Sequence, residues 1–239
     1  MKIIAVVAAR GGSKSIKDKN LRLIGKKHLI NHILSTLLKV NEIERTILSS
    51  DSNKIIKIAK KYNSSHLETR LRPKNLSQDS TPLTSVAHHI ALELEKEGYV
   101  PDYVLQVAPT CPFISVSTVK KIINVLRAKK SNCVVTLQRI EHEHPYRAKK
   151  LNKKNYFSQF IKGINVEKYI SRQDLPTLYC TSGAIYARSF KLLKGFSGRD
   201  FCLGPKPYGI VVNDREAVNI DRKIDLEFAK FIENKKSLI

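Results

Sequence analysis

One stretch near the N-terminus constrains the chain more than any other. An apolar run, Ile3-Ile4-Ala5-Val6-Val7-Ala8-Ala9, breaks directly into Arg10-Gly11-Gly12-Ser13-Lys14-Ser15-Ile16-Lys17-Asp18-Lys19-Asn20. The run is rich in β-branched residues, too short for a helix and ended by paired glycines, which predicts a strand buried on both faces. The loop after it is dense in cationic side chains. Gly11 and Gly12 can take positive φ there and let a ligand come close to the main chain. Exposed N–H groups in such a loop can cradle phosphate, to which Arg10, Lys14 and Lys19 add forked and point charges, while the spacing alone fits an ordinary strand-to-helix turn with solvated lysines equally well. The loop is not a Walker P-loop, because no Gly-Lys-Ser/Thr follows the glycines, and it is not G-x-G-x-x-G.

Beyond this loop, strand-like and helix-like segments alternate, the pattern of βαβ units and a mostly parallel sheet. Helices are expected over His28–Lys39, after Asp51, over Ser85–Glu97, Val116–Ala128 and Lys223–Asn234, with Ser52 or Asp51 capping the second. Strands are expected at Thr46–Leu48, Ser65–Glu68, Tyr103–Ala108, Cys133–Leu137, Gly183–Ala187 and Ile210–Val212. Between residues 141 and 180 the pattern loosens into polar and basic sequence with scattered aromatics. That part reads as an inserted arm on a single domain spanning residues 1–239. In such sheets ligands sit beyond the carboxyl ends of the strands. Arg10, Asp51, Pro109–Pro112 and Asn213–Asp214 all fall there.

The 239 residues suffice for one α/β domain with a sizeable core. No apolar run approaches transmembrane length, and residues 3–9 are too short for a signal-peptide core, so a cytoplasmic setting is expected. Cys111, Cys133, Cys180 and Cys202 are far apart without a C-x-x-C pair, which predicts free thiols. The formal net charge is +22. It suits acidic small substrates and would also allow nucleic-acid or anionic-surface contact. The basic residues are nevertheless spread along the chain without an arginine-rich tail or an aromatic-interleaved basic motif, which argues against nucleic acid as the partner.

The opening motif Ala9-Arg10-Gly11-Gly12-Ser13-Lys14-x-Ile16-x-x-Lys19-Asn20 resembles that of the CMP-sialic acid synthetases, the acylneuraminate cytidylyltransferases. Their motif runs A-R-G-G-S-K-G-I-P-x-K-N, and Ser15 and Lys17 stand here for its Gly and Pro. The likeness recurs along most of the chain. Ser49-Ser50-Asp51 is similar to the family's S-T-D. Arg72-Pro73 with Leu76 and Asp79 is similar to R-P-x-x-L-x-x-D. Arg172-Gln173-x-Leu175-Pro176 resembles R-Q-x-L-P, Ser182-Gly183-Ala184-Ile185-Tyr186 resembles N-G-A-I-Y, and Asn219-Ile220-Asp221 resembles D-I-D.

The resemblance implies a Rossmann-like nucleotidyltransferase fold and transfer of CMP from CTP to a sialic-acid-like nonulosonic acid, with release of pyrophosphate. It implies Arg10, Lys19 and Asp221 as the catalytic set. Arg10, Gly11, Gly12, Ser13, Lys14, Asn20, Arg72 and Asp79 would lie on the nucleotide side. Gln106, Arg172, Gln173, Ser182 and Tyr186 would lie on the sugar side, and Asp221 with Asn219 would hold Mg²⁺. The implied partners are CTP, an acidic keto-sugar and a second subunit reached by the arm, giving a homodimer.

The departures fall mostly on the sugar side. Ala108 stands where the family has the Gln of Q-P-T-S-P, and Gln106 is expected to substitute for it in part. Ser182 replaces an Asn, and Asn219 replaces the first Asp of D-I-D. Alternatives are a cytidylyltransferase for legionaminate, pseudaminate or an octulosonate, or a protein that binds nucleotide or nucleic acid without catalysis. Asp221 also reads as a simple helix cap, Arg172 as a solvated charge and Tyr186 as a core residue.

Overall fold

A computed structural model describes residues 1–235 apart from 130 and 199. The chain opens with β1 (Ile3–Ala8), the glycine-containing loop, and a small hairpin of β2 (Leu23–Ile24) and β3 (Lys27–His28). There follow α1 (Leu29–Leu37), β4 (Arg45–Ser50), α2 (Asn53–Lys60), β5 (Leu67–Leu71), α3 (Leu83–Lys96), β6 (Tyr103–Val107), α4 (Val116–Lys129) and β7 (Cys133–Arg139). Short strands β8 (Lys149–Leu151) and β9 (Phe157–Gln159) belong to the arm. The chain closes with β10 (Tyr179–Ser189), α5 (Phe190–Lys194), β11 (Tyr208–Val211) and α6 (Lys223–Asn234).

Seven strands form the main sheet in the order β11-β7-β10-β6-β1-β4-β5. β10 alone runs antiparallel to its neighbours β6 and β7, and the other pairings are parallel. Every residue of β1 is buried. Ile3, Ala5 and Val7 face one side, where α1, α2 and α4 supply Ile33, Ile55 and Ile122 among others. Ile4 and Val6 face the other side, against Ile90 and Leu94 of α3 and Phe190 and Leu193 of α5. The chain leaves β1 for β4 and β5 on one flank, then returns to β6 on the other. The strand order therefore reverses at β1, and the crevice at its carboxyl end is the place where such sheets take ligands.

Most expected elements form close to their expected bounds. The third strand begins later and runs to Leu71, which brings Arg72 to its end. β10 begins at Tyr179, four residues ahead of Gly183, and a register irregularity separates Thr181 from Tyr186. Neither Asp51 nor Ser52 caps α2 with its side chain, a correction to the sequence reading. The Asp51 carboxylate instead accepts a hydrogen bond from the Gly11 N–H at 2.7 Å.

The arm is built from short 3-10 turns and the β8–β9 ribbon, and it packs little of its surface away. Leu151, Tyr156, Phe157, Phe160 and Ile170 all stay exposed. No helix among the described residues is long and apolar enough to cross a membrane.

Candidate active site

The parallel ladder continues one residue past β1, where the Ala9 N–H donates to the Ser49 carbonyl at 3.0 Å, and at Arg10 the loop departs. Gly11 does not use the positive φ open to glycine; it needs space. A Cβ there would come within 2.7 Å of the Ser52 Cβ, so only glycine lets the loop lie against the start of α2. Gly12 faces open space. Ile16 is the packing anchor of an otherwise polar loop, buried with Ile24, Leu29, Ile220 and Leu226. Through Ile16 the loop is tied to α6. Asn20 is buried and donates to the Arg10 carbonyl at 2.9 Å, while its Oδ1 is buried without a partner. A buried acceptor left unpaired is costly.

Three clusters result. In the first, the Arg10 guanidinium pairs with the Asp79 carboxylate, and the Lys14 ammonium meets the same carboxylate at 2.6 Å. Hydrogen bonding from Lys14, and then from Arg10, holds Asp79 below the usual carboxylate range. Asp79 thus acts as the counter-ion of the loop's two cations.

The second cluster centres on Arg72, buried to 6% exposure at the end of β5. Its guanidinium donates to the Ser49 carbonyl at 2.5 Å and the Ser49 hydroxyl at 3.3 Å. Burial pulls its pKa below the ordinary arginine value, while the Asp51 charge opposes the shift.

The third cluster joins the two ends of the chain. Lys19, with only 13% of its side chain exposed, donates to the Ile220 carbonyl at 2.8 Å and to Asp221 at 3.1 Å. The Asn219 amide donates to the other Asp221 oxygen at 3.1 Å. The Ile220 N–H reaches the Thr110 carbonyl at 2.9 Å, tying this turn to the loop after β6. Asp221 does not cap α6. The Asp225 carboxylate does so by accepting from the Arg222 and Asp221 N–H groups, and this frees Asp221 for the cleft.

Could this cluster hold a divalent ion? No group of three or more His, Cys, Asp or Glu side chains suited to a metal exists among the described residues. Asp221 is an exposed carboxylate, with its two oxygens held by an ammonium and an amide. One carboxylate fits an ion that completes its shell with phosphate oxygens and water, as Mg²⁺ does, and does not fit a dedicated protein cage.

The expected sugar-side residues are less gathered. Gln106 and Tyr186 are register partners on β6 and β10, both buried, and Arg188 touches both. β6 ends at Val107, and Ala108 packs into the core on the α1–α4 side, so Gln106 does not replace it on one continuous strand face. The Ser182 hydroxyl donates to the Thr136 hydroxyl at 2.8 Å and is buried. Arg172 lies on the arm, 59% exposed and paired with Glu141, and Gln173 beside it is exposed. A cavity of about 450 Å³ opens near the root of the arm, lined by Gln138, Arg139, Glu141, His142, Asp214 and Val218.

The Cys111 thiol, fully buried behind the cleft, is pushed up to about 12 by burial, which excludes it as a nucleophile at neutral pH. Sequence reasoning missed Asp51 as the partner of Gly11. It also missed Arg188, whose only signal was a lone charge inside an otherwise apolar strand.

The fold and the crevice define a nucleotidyltransferase of the α/β class. A family model described as cytidylyltransferase matches residues 4–238, and the chain belongs to that family. It is 31% identical over 234 residues to the pseudaminic acid cytidylyltransferase of Campylobacter jejuni, covering 97% of this chain and 96% of that protein. It is 27% identical over 232 residues to the CMP-N,N'-diacetyllegionaminic acid synthase of Legionella pneumophila, covering 94% and 93% of the two chains. Among solved structures, a CMP:2-keto-3-deoxy-manno-octonic acid synthetase complexed with CTP superposes with a TM-score of 0.71. It shares 16% identity, with 99% of this chain and 100% of that one covered.

Proposed function

We propose that the protein transfers CMP from CTP to the anomeric hydroxyl of a nine-carbon keto-sugar acid and releases pyrophosphate. The observation that carries this reading is the Lys19–Asn219–Asp221 cluster set beside a loop with paired glycines and two further cations. The relatives named for pseudaminic and legionaminic acid support a nonulosonic acid as the acceptor, with pseudaminate ahead of N-acetylneuraminate. Ala108, in place of the glutamine expected for sialic acid itself, points the same way.

The sugar hydroxyl attacks the α-phosphorus in line, a bond from sugar oxygen to phosphorus forms, and the bond to the β-phosphate oxygen breaks. Such a step needs positioning and charge neutralisation more than covalent catalysis. Arg10 and Lys14 leave Asp79 for the β- and γ-phosphates. The Gly12 backbone and Ser13 line the same loop. Asn20 fixes the Arg10 carbonyl and so the course of the loop, and Arg72 supplies a fixed positive charge from beneath. Lys19, nearly dehydrated, stands beside the charge that develops on the leaving pyrophosphate. Asp221, oriented by Asn219 and Lys19, would hold Mg²⁺, which supplies charge neutralisation on the phosphates when bound. Arg172 offers a forked donor for the sugar carboxylate once it leaves Glu141.

The exposed apolar residues of the arm suit burial against a second copy, and we read the working unit as a homodimer in the cytoplasm, where CTP is available. Pyrophosphate release from a panel of nucleotides crossed with nonulosonates and octulosonates tests the reading. Turnover is expected with CTP and a nonulosonate, and folded protein inactive across the panel would contradict it.

A further inference from the structure

Arg188 is fully buried, with 1% exposure, in the antiparallel strand beside β6. Its four hydrogen bonds all go to neutral groups. Nε donates to the Cys202 carbonyl at 2.8 Å and Nη1 to the Gln106 side-chain carbonyl at 3.0 Å. Nη2 donates to the Phe201 carbonyl at 2.8 Å and to the Thr84 hydroxyl at 3.4 Å. The guanidinium lies 4.9 Å from the centre of the Tyr186 ring. No carboxylate among the described residues bonds the guanidinium directly, although Asp200 lies near enough to favour its charge, and taking such a charge out of water is expensive. A neutral residue would fill the same volume at lower cost.

The arrangement does one thing that a neutral residue could not. A guanidinium has donors and no acceptor, so it fixes which end of the Gln106 amide faces it. The carbonyl oxygen must point at Arg188, and the NH₂ must point away. No acceptor meets that NH₂ among the described residues, and it is not one of the buried side-chain atoms left without a partner. Gln106 is 5% exposed, and this NH₂ is the end of its side chain that the described residues leave unengaged. Gln106 pairs in register with Val6 of β1 on one side and Tyr186 on the other. Its strand runs on into Thr110, whose carbonyl holds the turn that carries Asp221. Thr84, in the first turn of α3, and the 201–202 segment are held by the same guanidinium.

We propose that Arg188 is a positioning residue that presents the Gln106 NH₂ to the acceptor sugar, so that Gln106 reads a hydrogen-bond acceptor, a carboxylate or acyl oxygen, and rejects a donor at that point. This rests on the reading of the cleft as a keto-sugar cytidylyltransferase.

Gln106→Glu is the decisive variant, because it keeps the shape, gives Arg188 an ionic partner and removes the NH₂. The expected result is a melting temperature at or above that of the wild type, a sugar KM raised about ten- to a hundredfold, and a CTP KM within about twofold of wild type. A purely structural role for Arg188 predicts better stability and an unchanged sugar KM, and that result would overturn the proposal. Equal rises in both KM values would overturn it as well. Should Gln106→Glu fail to fold, Arg188→Lys carries the same test. It keeps the charge, loses the fork, and is expected to raise the sugar KM several-fold with the CTP KM unmoved. In a Gln106→Ala background the same change is expected to add nothing further. Absence of turnover by the wild type with every sugar acid would overturn the parent reading, and this proposal with it, before any variant is made.

Discussion

The nucleotide-side loop and the arm are both basic, irregular stretches, yet the molecule treats them in opposite ways. The loop of residues 10–22 is pinned by Gly11 to Asp51 and by Ile16 and Lys19 to the turn before α6, Asn20 closes it on its own Arg10 carbonyl, and Lys19 and Asn20 give up most of their contact with water. The arm, residues 141–180, leaves Leu151, Tyr156, Phe157, Phe160 and Ile170 in solvent, and its proposed sugar ligand Arg172 is exposed. The comparison teaches where the reaction's demands differ. Charge on a triphosphate is the same whatever the acceptor, so its cradle can be rigid and built on the central strands. The acceptors named for relatives differ, and the arm that carries the proposed sugar ligand Arg172 is an element that a change of sequence can reshape.

The largest expected effect lies on the rigid side. Lys19→Ala should lower the chemical step by roughly 10²–10³, the scale for loss of one preorganised electrostatic contact. A near wild-type rate in single turnover would reduce Lys19 to a structural tie between the loop and Ile220.

Next comes the metal dependence. Asp221→Asn should cut turnover severely and raise the Mg²⁺ needed for half-maximal rate. Asn219→Asp, which sets a second carboxylate against Asp221, should lower that requirement and make the metal-free protein melt earlier. Unchanged metal dependence in both variants would remove Asp221 from the site.

On the arm, the change should appear in assembly. Phe157→Ser with Phe160→Ser should shift the chain from dimer to monomer in sedimentation and weaken sugar use, with CTP binding retained. A dimer that persists unchanged would place the interface elsewhere. A smaller effect, a few-fold, is expected from Ala108→Gln: better relative use of N-acetylneuraminate. A wild type that already prefers that sugar would contradict this.

Thiol labelling gives the finest contrast. At pH 8, Cys180 at the root of the arm should label first, because it is partly open. Cys111 should stay unlabelled until unfolding, because burial holds its pKa near 12.

The sequence made this asymmetry partly legible. β1 could be placed because a doubly buried strand leaves an apolar run, and its loop because the stretch from Ala9 to Asn20 resembles the family's opening motif, since cations after paired glycines alone also fit a plain turn. α6 was placed by helical periodicity and Asp221 by the resemblance of its segment to D-I-D, yet whether Asp221 caps the helix depended on Asp225, four residues further on. Asp51 was misassigned because a cap and a long-range bond to Gly11 call for the same residue at the same offset. Arg188 could not be found, since its partners Thr84, Gln106, Phe201 and Cys202 come from three separate segments. The sugar side stayed indistinct for a physical reason: Arg172 and Gln173 lie where no core packing dictates a pattern.

The central claim is a phosphodiester bond between CMP and the sugar acid, and ³¹P NMR of the wild-type reaction with CTP, Mg²⁺ and pseudaminate tests it most directly. The account predicts loss of the CTP signals with one new CMP-sugar diester resonance and one pyrophosphate formed per CTP consumed. CDP with inorganic phosphate, or an unchanged CTP spectrum with folded protein, would contradict it.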